Sequence, residues 1–381
     1  MIQFQSKLPS GGKTIFSVIS ALAKEHNAIN LGQGFPNFDG PNELKELVKK
    51  YLDAGKNQYA PMPGIIELRQ ALANKAHYLY GKNINPDNEI TITAGATQAI
   101  FTIISAFVHS EDEVIIIEPA YDSYRPSIEL TGASAIPYEL EGPEYIIDWE
   151  IMQSLVTAKT RMIIINTPQN PIGKTLKEED MLKLQSLVAG SNIIVLSDEV
   201  YEHLVFDGKK HESVLRYPEL YDRSLAVYSF GKTFHSTGWK VGYCVAPPHL
   251  MKEFRKIHQW NVFSVNSFVQ YALADFLTRK EHYLELSSFF EKKRDFLTHA
   301  MGSSKLKALS SEGTYFQLYD YSGISDKNDI DFARELITST GVAAIPVSPF
   351  YASQRQDKVI RLCFAKTEET LSKAAEKLSR L

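Results

Sequence analysis

Between residues 89 and 247, seven short apolar runs alternate with amphipathic stretches: EITITAG, EVIIIEP, ASAIPYEL, TRMIIINTP, NIIVLSDE, SLAVYSFGK and WKVGYCVAP. Runs so continuously apolar and β-branched suit strands buried on both faces, as in a parallel sheet covered by helices. The pattern predicts an α/β fold of βαβ units around a mostly parallel seven-stranded sheet. One link differs. About six residues separate Lys232 from Trp239, whereas a parallel crossover needs roughly a dozen. The seventh strand is therefore expected to be antiparallel, carrying Lys240 back beside Lys232 through a short hairpin.

After this region the period turns helical from about 266 to 302. Strands return at GTYFQLYD and KVIRLCF, and a helix closes the chain near 367–380. That tail suits a smaller α+β domain. The chain of 381 residues is long enough for two or three domains. With 44% apolar and 23% charged residues it has an ordinary globular composition. A net charge of -4 with scattered Lys and Arg offers no basic stripe, so no nucleic acid partner is expected. MIQFQSKLPSGGK lacks the apolar core of a secretory signal, and no run suits a membrane span, so a cytoplasmic location is expected. Cys244 and Cys363 are the only cysteines, each in an apolar run, and read as core residues rather than as a disulfide or metal site.

Lys232 sits in Gly231-Lys232-Thr233, which could end a phosphate-binding P-loop or seat a nucleophilic amine. The P-loop needs a glycine five residues before Gly231, where the wrapping backbone has no room for a side chain. Ala226 stands there, inside a strand-like run. A lysine that forms an imine with pyridoxal phosphate needs instead a partner for the pyridine nitrogen and a cradle for the phosphate. Both are available at strand ends, where open α/β sheets place their ligands. Asp198 ends IIVLSDE, Asn170 follows MIIINTPQNP, Ser229 and Lys232 follow LAVYS, and Gly95-Ala96-Thr97 joins a strand to a helix. Each alone reads as a cap, a turn or a solvated charge; their convergence in one sheet is what points to a site.

NTPQNPIGK, SDEVYEHL, SFGKTFHSTGWKVGYCVAP and IRLCFAK resemble the signature segments of fold-type I pyridoxal-phosphate aminotransferases. The likeness runs from LGQGFPNFDGP to the last helix. NQYAPM, TAGATQA and GVAAIP are similar to the kynurenine and glutamine transaminase branch and to bacterial methionine aminotransferases. The resemblance implies a large cofactor domain over 41–277, with 1–40 and 278–381 forming an N-terminal arm and small domain. It implies that Lys232 anchors the cofactor and, once freed, moves the substrate proton. Asp198 would pair with the pyridine nitrogen, Tyr201 and Asn170 with the ring oxygen, and Tyr121 would stack on the ring. Ser229, Lys240 and the amides at Ala96 and Thr97, after Gly95, would hold the phosphate at a helix N-terminus.

Arg361, in the apolar strand KVIRLCF, would clamp the substrate α-carboxylate in bidentate fashion, and Gly34 would let the backbone approach it. Tyr59 and Phe263 would reach into a neighbouring subunit's site, implying a homodimer. Phe16 and Ser264 stand where eukaryotic relatives carry tryptophan and histidine, which argues against kynurenine as the main substrate. The expected reaction moves an amino group from an apolar, sulfur-containing or aromatic amino acid to a 2-oxo acid. β-Elimination from cysteine conjugates is an alternative in the same site. A pyridoxal-binding regulator would require a DNA-binding module, for which the sequence has no spare segment.

Overall fold

The computed structural model describes residues 2, 5–8 and 11–381. Its seven-stranded sheet is formed by β1 (Ile90–Thr93), β2 (Glu113–Glu118), β3 (Ser134–Glu139), β4 (Thr160–Asn166), β5 (Ile194–Asp198), β6 (Ser224–Ser229) and β7 (Gly242–Val245), the seven strands expected. Their spatial order is β1-β7-β6-β5-β4-β2-β3. All neighbours are parallel except β7, which runs antiparallel to both β6 and β1. The short link after β6 leaves no length for a crossover, so the chain turns back within the sheet.

Successive residues of a strand face opposite sides, and the sheet sorts its apolar residues accordingly. Val114, Ile116, Met162, Ile164 and Leu196 pack on one face with Ile100, Ile103 and Phe254 from helices Ala96–Phe107 and Pro248–Asn261. Ile115, Ile117, Ile163, Ile165 and Val195 belong to the core of the other face. Cys244 and Cys363 are buried, free and within strands.

A second, four-stranded sheet places Val359–Cys363 between Phe316–Asp320 and Ile345–Pro346, with Lys307–Ala308 at the edge. Near the N-terminus, Ile29–Asn30 pairs in parallel with Val342–Ala343. The helical stretch comprises Ser267–Phe276, Glu281–Leu284 and Leu286–Ala300, and the last helix is Glu368–Leu378. Among the described residues no helix is long and apolar enough to cross a membrane.

The turn after β5 is pinned from beneath. Glu202 is buried and paired with Lys75 of helix Ile66–Tyr80. It also accepts from Tyr80 Oη at 2.5 Å and Tyr243 Oη at 3.1 Å. Removing one member of a buried pair strands the other charge. Lys75→Met should therefore lower stability by about 3–5 kcal/mol in urea unfolding, and adding Glu202→Gln should recover part of the loss; an unchanged unfolding midpoint for the single variant would contradict the pairing.

Candidate active site

Three adjacent strands deliver polar residues to one edge. Asn166 ends β4 opposite Asp198, which ends β5, and Ser229 ends β6 opposite Gly242. This is the carboxyl edge of the parallel strands, and it opens into a cavity of about 170 Å³. Asp198, Asn170, Tyr201 and Tyr121 line it together with Ser229, Lys232 and Lys240. Gly95, Ala96 and Thr97 close one end, where β1 passes into helix Ala96–Phe107.

Lys240 reaches the cavity by another route than a plain hairpin. After β6 the chain makes a short helix, Phe230–Thr233, and a 3₁₀ turn, Thr237–Trp239. Lys240 caps that turn in the left-handed region, φ 53°, and strand β7 starts only at Gly242. Its Nζ lies 3.4 Å from where a Cβ on Gly95 would stand. Gly95 itself has φ 81°, a backbone conformation that favours glycine.

Asp198 is buried and accepts from Tyr124 Oη at 2.6 Å and from the Val200 amide at 3.3 Å. Burial raises its carboxyl to about 6, against those two bonds and the Lys232 charge, which lower it. Lys232 is the mirror case. Burial lowers its ammonium to about 8; Arg361 and Lys240 push the same way, while Cys363 and Asp198 oppose. Its Nζ donates to Tyr315 Oη at 3.1 Å and to the Gly34 carbonyl at 3.3 Å.

Arg361, on the middle strand of the small sheet, is buried beside the cavity. Its Nη1 donates to Asn170 Oδ1 at 2.6 Å and its Nη2 to the Gly32 carbonyl at 2.9 Å. Its guanidinium lies 3.8 Å from the Phe316 ring centre and 5.2 Å from that of Phe16. Nε is buried without a partner. Burial lowers Arg361 to about 10, so it stays charged at neutral pH. Gly34 cannot carry a side chain without moving its neighbour, since a Cβ would stand 2.9 Å from Phe316 Cζ.

Tyr59 and Phe263 lie apart from this constellation. They pack edge-on against each other, ring centres 5.2 Å apart, and Tyr59 is 80% exposed. The structure adds residues that the sequence alone does not single out. Asn166 lines the cavity, Tyr124 holds Asp198, and Tyr315 holds Lys232. Asn166 carried a signal, being a polar strand end like Asp198. Tyr124 and Tyr315 carried none, because a tyrosine outside any recognisable motif reads as core packing.

The Aminotransferase class I and II family model matches residues 26–378. The chain is a class I and II aminotransferase. The family depends on pyridoxal phosphate. The chain is 50% identical over 378 residues to a methionine aminotransferase of Escherichia coli, covering 99% of this chain and 98% of that protein. A solved structure from Escherichia coli, described as having a methionine aminotransferase function, superposes with a TM-score of 0.98 at 49% identity, covering all of both chains. A kynurenine–oxoglutarate transaminase of Dictyostelium discoideum is 34% identical over 412 residues, covering 98% of this chain and 95% of that one.

The donor set fits pyridoxal phosphate. A glycine cradle at a helix N-terminus with a lysine beside it suits a phosphate. A buried carboxylate suits a protonated pyridine nitrogen, and an amine of lowered pKa suits a carbonyl. Without a cationic partner that carboxylate costs stability. Because burial raises the folded pKa of Asp198 above its unfolded value, the folded chain loses stability as pH rises from about 4 to 6 and does not regain it above. In cofactor-stripped protein, Asp198→Asn should therefore be more stable than the parent at pH 8 by up to about 2–3 kcal/mol, the gap closing towards pH 4. Paired thermal melts across that range check this, and a gap that does not change with pH would contradict it.

Proposed function

We propose that this aminotransferase takes the amino group from an apolar, sulfur-containing or aromatic L-amino acid, methionine-like first, and passes it to a 2-oxo acid. The observation that carries the reading is the distribution of charge. Among the described residues the cavity is lined by two cations, Lys232 and Lys240, both directed to the cofactor in this reading, and Arg361 beside it is assigned to the α-carboxylate. The groove outside Tyr121 adds Lys13 and Arg125, but it also carries Glu118, Asp122 and Glu129. Arg125 is bonded to Glu118 at 2.7 Å. Acids outnumber cations there and Lys13 is exposed, so a second carboxylate on the donor would meet acids and aromatic rings and, among the described residues, no further buried cation to pair with.

Bound pyridoxal phosphate supplies an electron sink for the bond broken at the substrate α-carbon. In this reading Lys232 would anchor it and, once released, would hold and move the proton of the substrate α-carbon. An amine held near pH 8 is suited to both taking and returning that proton. Asp198 would pair with the pyridine nitrogen and keep it charged. Asn170 and Tyr201 would donate to the ring oxygen, and Tyr121 would stack on the ring. Ser229, Lys240 and the amides of Ala96 and Thr97 would hold the phosphate.

Arg361, braced by Asn170, Gly32 and two aromatic rings, offers its fork to the α-carboxylate across Gly34. Phe16 and Phe350, ring centres 5.6 Å apart, and Tyr121 give the side chain an aromatic surround, to which Phe263 of a second copy would add. Thioether contacts with such rings contribute about 0.3–1.5 kcal/mol each. The exposure of Tyr59, Phe263 and Trp260 supports a homodimer in which each copy completes its neighbour's site. Two free, buried cysteines suit a reducing cytoplasm. The pairing of Ile29–Asn30 with Val342–Ala343 supports a division in which 1–40 joins 278–381 and leaves 41–277 as the cofactor domain.

Measured as kcat/KM with one common oxo-acid acceptor, methionine should exceed aspartate by about 100-fold or more, since an unpaired carboxylate would be buried. Phenylalanine, tyrosine and leucine should fall between them. Aspartate equal to or better than methionine would overturn the reading of the pocket.

A further inference from the structure

Behind Lys232 the structure builds a closed triangle of hydrogen bonds. Lys232 Nζ donates to Tyr315 Oη at 3.1 Å and to the Gly34 carbonyl at 3.3 Å, and Tyr315 Oη donates to the same carbonyl at 2.6 Å. Both acceptors are fixed. Tyr315 is fully buried, with ring centres 4.9 Å from Phe316, 5.2 Å from Tyr201 and 5.8 Å from Phe290. The Gly34 carbonyl is held from both sides. The buried Lys366 ammonium donates to the Phe35 carbonyl at 2.6 Å and to the Gln33 carbonyl at 3.3 Å, and Asn30 Oδ1 accepts from the Gly32 and Gln33 amides. Of the three successive carbonyls, the middle one is left for Lys232 and Tyr315.

An uncharged lysine amine has two N–H groups and one lone pair. In the triangle both hydrogens have acceptors, so the lone pair points away from them, and Lys232 itself lines the cavity. We propose that Tyr315 is a positioning residue: with the Gly34 carbonyl it docks the Lys232 amine whenever that amine is not bonded to the cofactor, fixing its hydrogens and aiming its lone pair at the reacting carbon. The inference rests on the reading of Lys232 as anchor and proton carrier. Tyr315 is not itself a proton carrier, because burial holds its phenol far above the ordinary range and keeps it neutral. The other ionisable groups facing Lys232 are Arg361 and Lys240, which oppose its charge, Asp198 and Cys363, which favour it, and the Tyr201 phenol, whose ring centre is 5.8 Å away.

The test is Tyr315→Phe, which keeps the ring and its packing and removes only the hydroxyl. In holoenzyme carrying the amine form of the cofactor, Lys232 is free, and its titration is read by competitive acetylation with acetic anhydride across pH, followed by mass spectrometry of its peptide. A phenol oxygen accepts more strongly from an ammonium than from an amine. The midpoint of Lys232 should therefore fall in the variant below that of the parent. The acid limb of kcat should move the same way, with kcat down about tenfold from lost orientation and KM unchanged. An unchanged midpoint together with unchanged kcat would overturn the proposal while leaving Lys232 as the anchor. The aldehyde form separates the two claims: there Lys232 should resist acetylation in both proteins, and equal labelling in the two cofactor forms would overturn the anchor reading and this proposal with it.

Discussion

The structure depends on keeping three ionisable groups out of water at one place. Asp198, Lys232 and Arg361 are gathered around the cavity edge, and burial opposes the charged form of each. A fold selected for stability alone would replace them with apolar residues of similar size. Their retention makes sense if a ligand brings the missing charges: a cationic ring for the carboxylate, a carbonyl for the amine, an anionic carboxylate for the guanidinium. Perturbed groups in a concave site are the physical signature of chemistry.

The rest of the molecule holds those groups in place. The parallel strands β4, β5 and β6 end side by side, so their last polar residues converge without any long loop. The left-handed turn that leads into the antiparallel β7 sets Lys240 beside Gly95. The small sheet inserts Arg361 from the opposite side, tied to Asn170 across the cavity rim. Beneath the turn after Asp198, the buried Lys75–Glu202 pair fixes the backbone carrying Tyr201. Side-chain preference in the proposed reading then follows from what remains uncommitted, which is aromatic surface and, among the described residues, no buried cation.

Much of this was legible in the sequence because the signals were local. Buried parallel strands are apolar throughout, so all seven were visible as runs, and the antiparallel return followed from the length of one link. Asp198 and Ser229 stood out as polar residues at apolar strand ends, and Asn170 as a polar residue in the turn that follows one. The placement of Lys240 did not, because a left-handed residue after a 3₁₀ turn has no distinctive pattern unless glycine or asparagine fills it. Tyr124 and Tyr315 were illegible for a different reason. Their hydroxyls meet partners distant in sequence, Asp198 and Gly34, and a tyrosine's role in such a contact exists only in three dimensions.

The claim on which the account turns is that Lys232, and no other lysine, carries the cofactor. Treating the holoenzyme in its aldehyde form with borohydride fixes the carbon–nitrogen bond between cofactor and lysine, and peptide mass mapping then locates it. The account predicts the cofactor's added mass on the peptide containing Lys232, with Lys240 unmodified. The added mass on Lys240 or on any other lysine would contradict it.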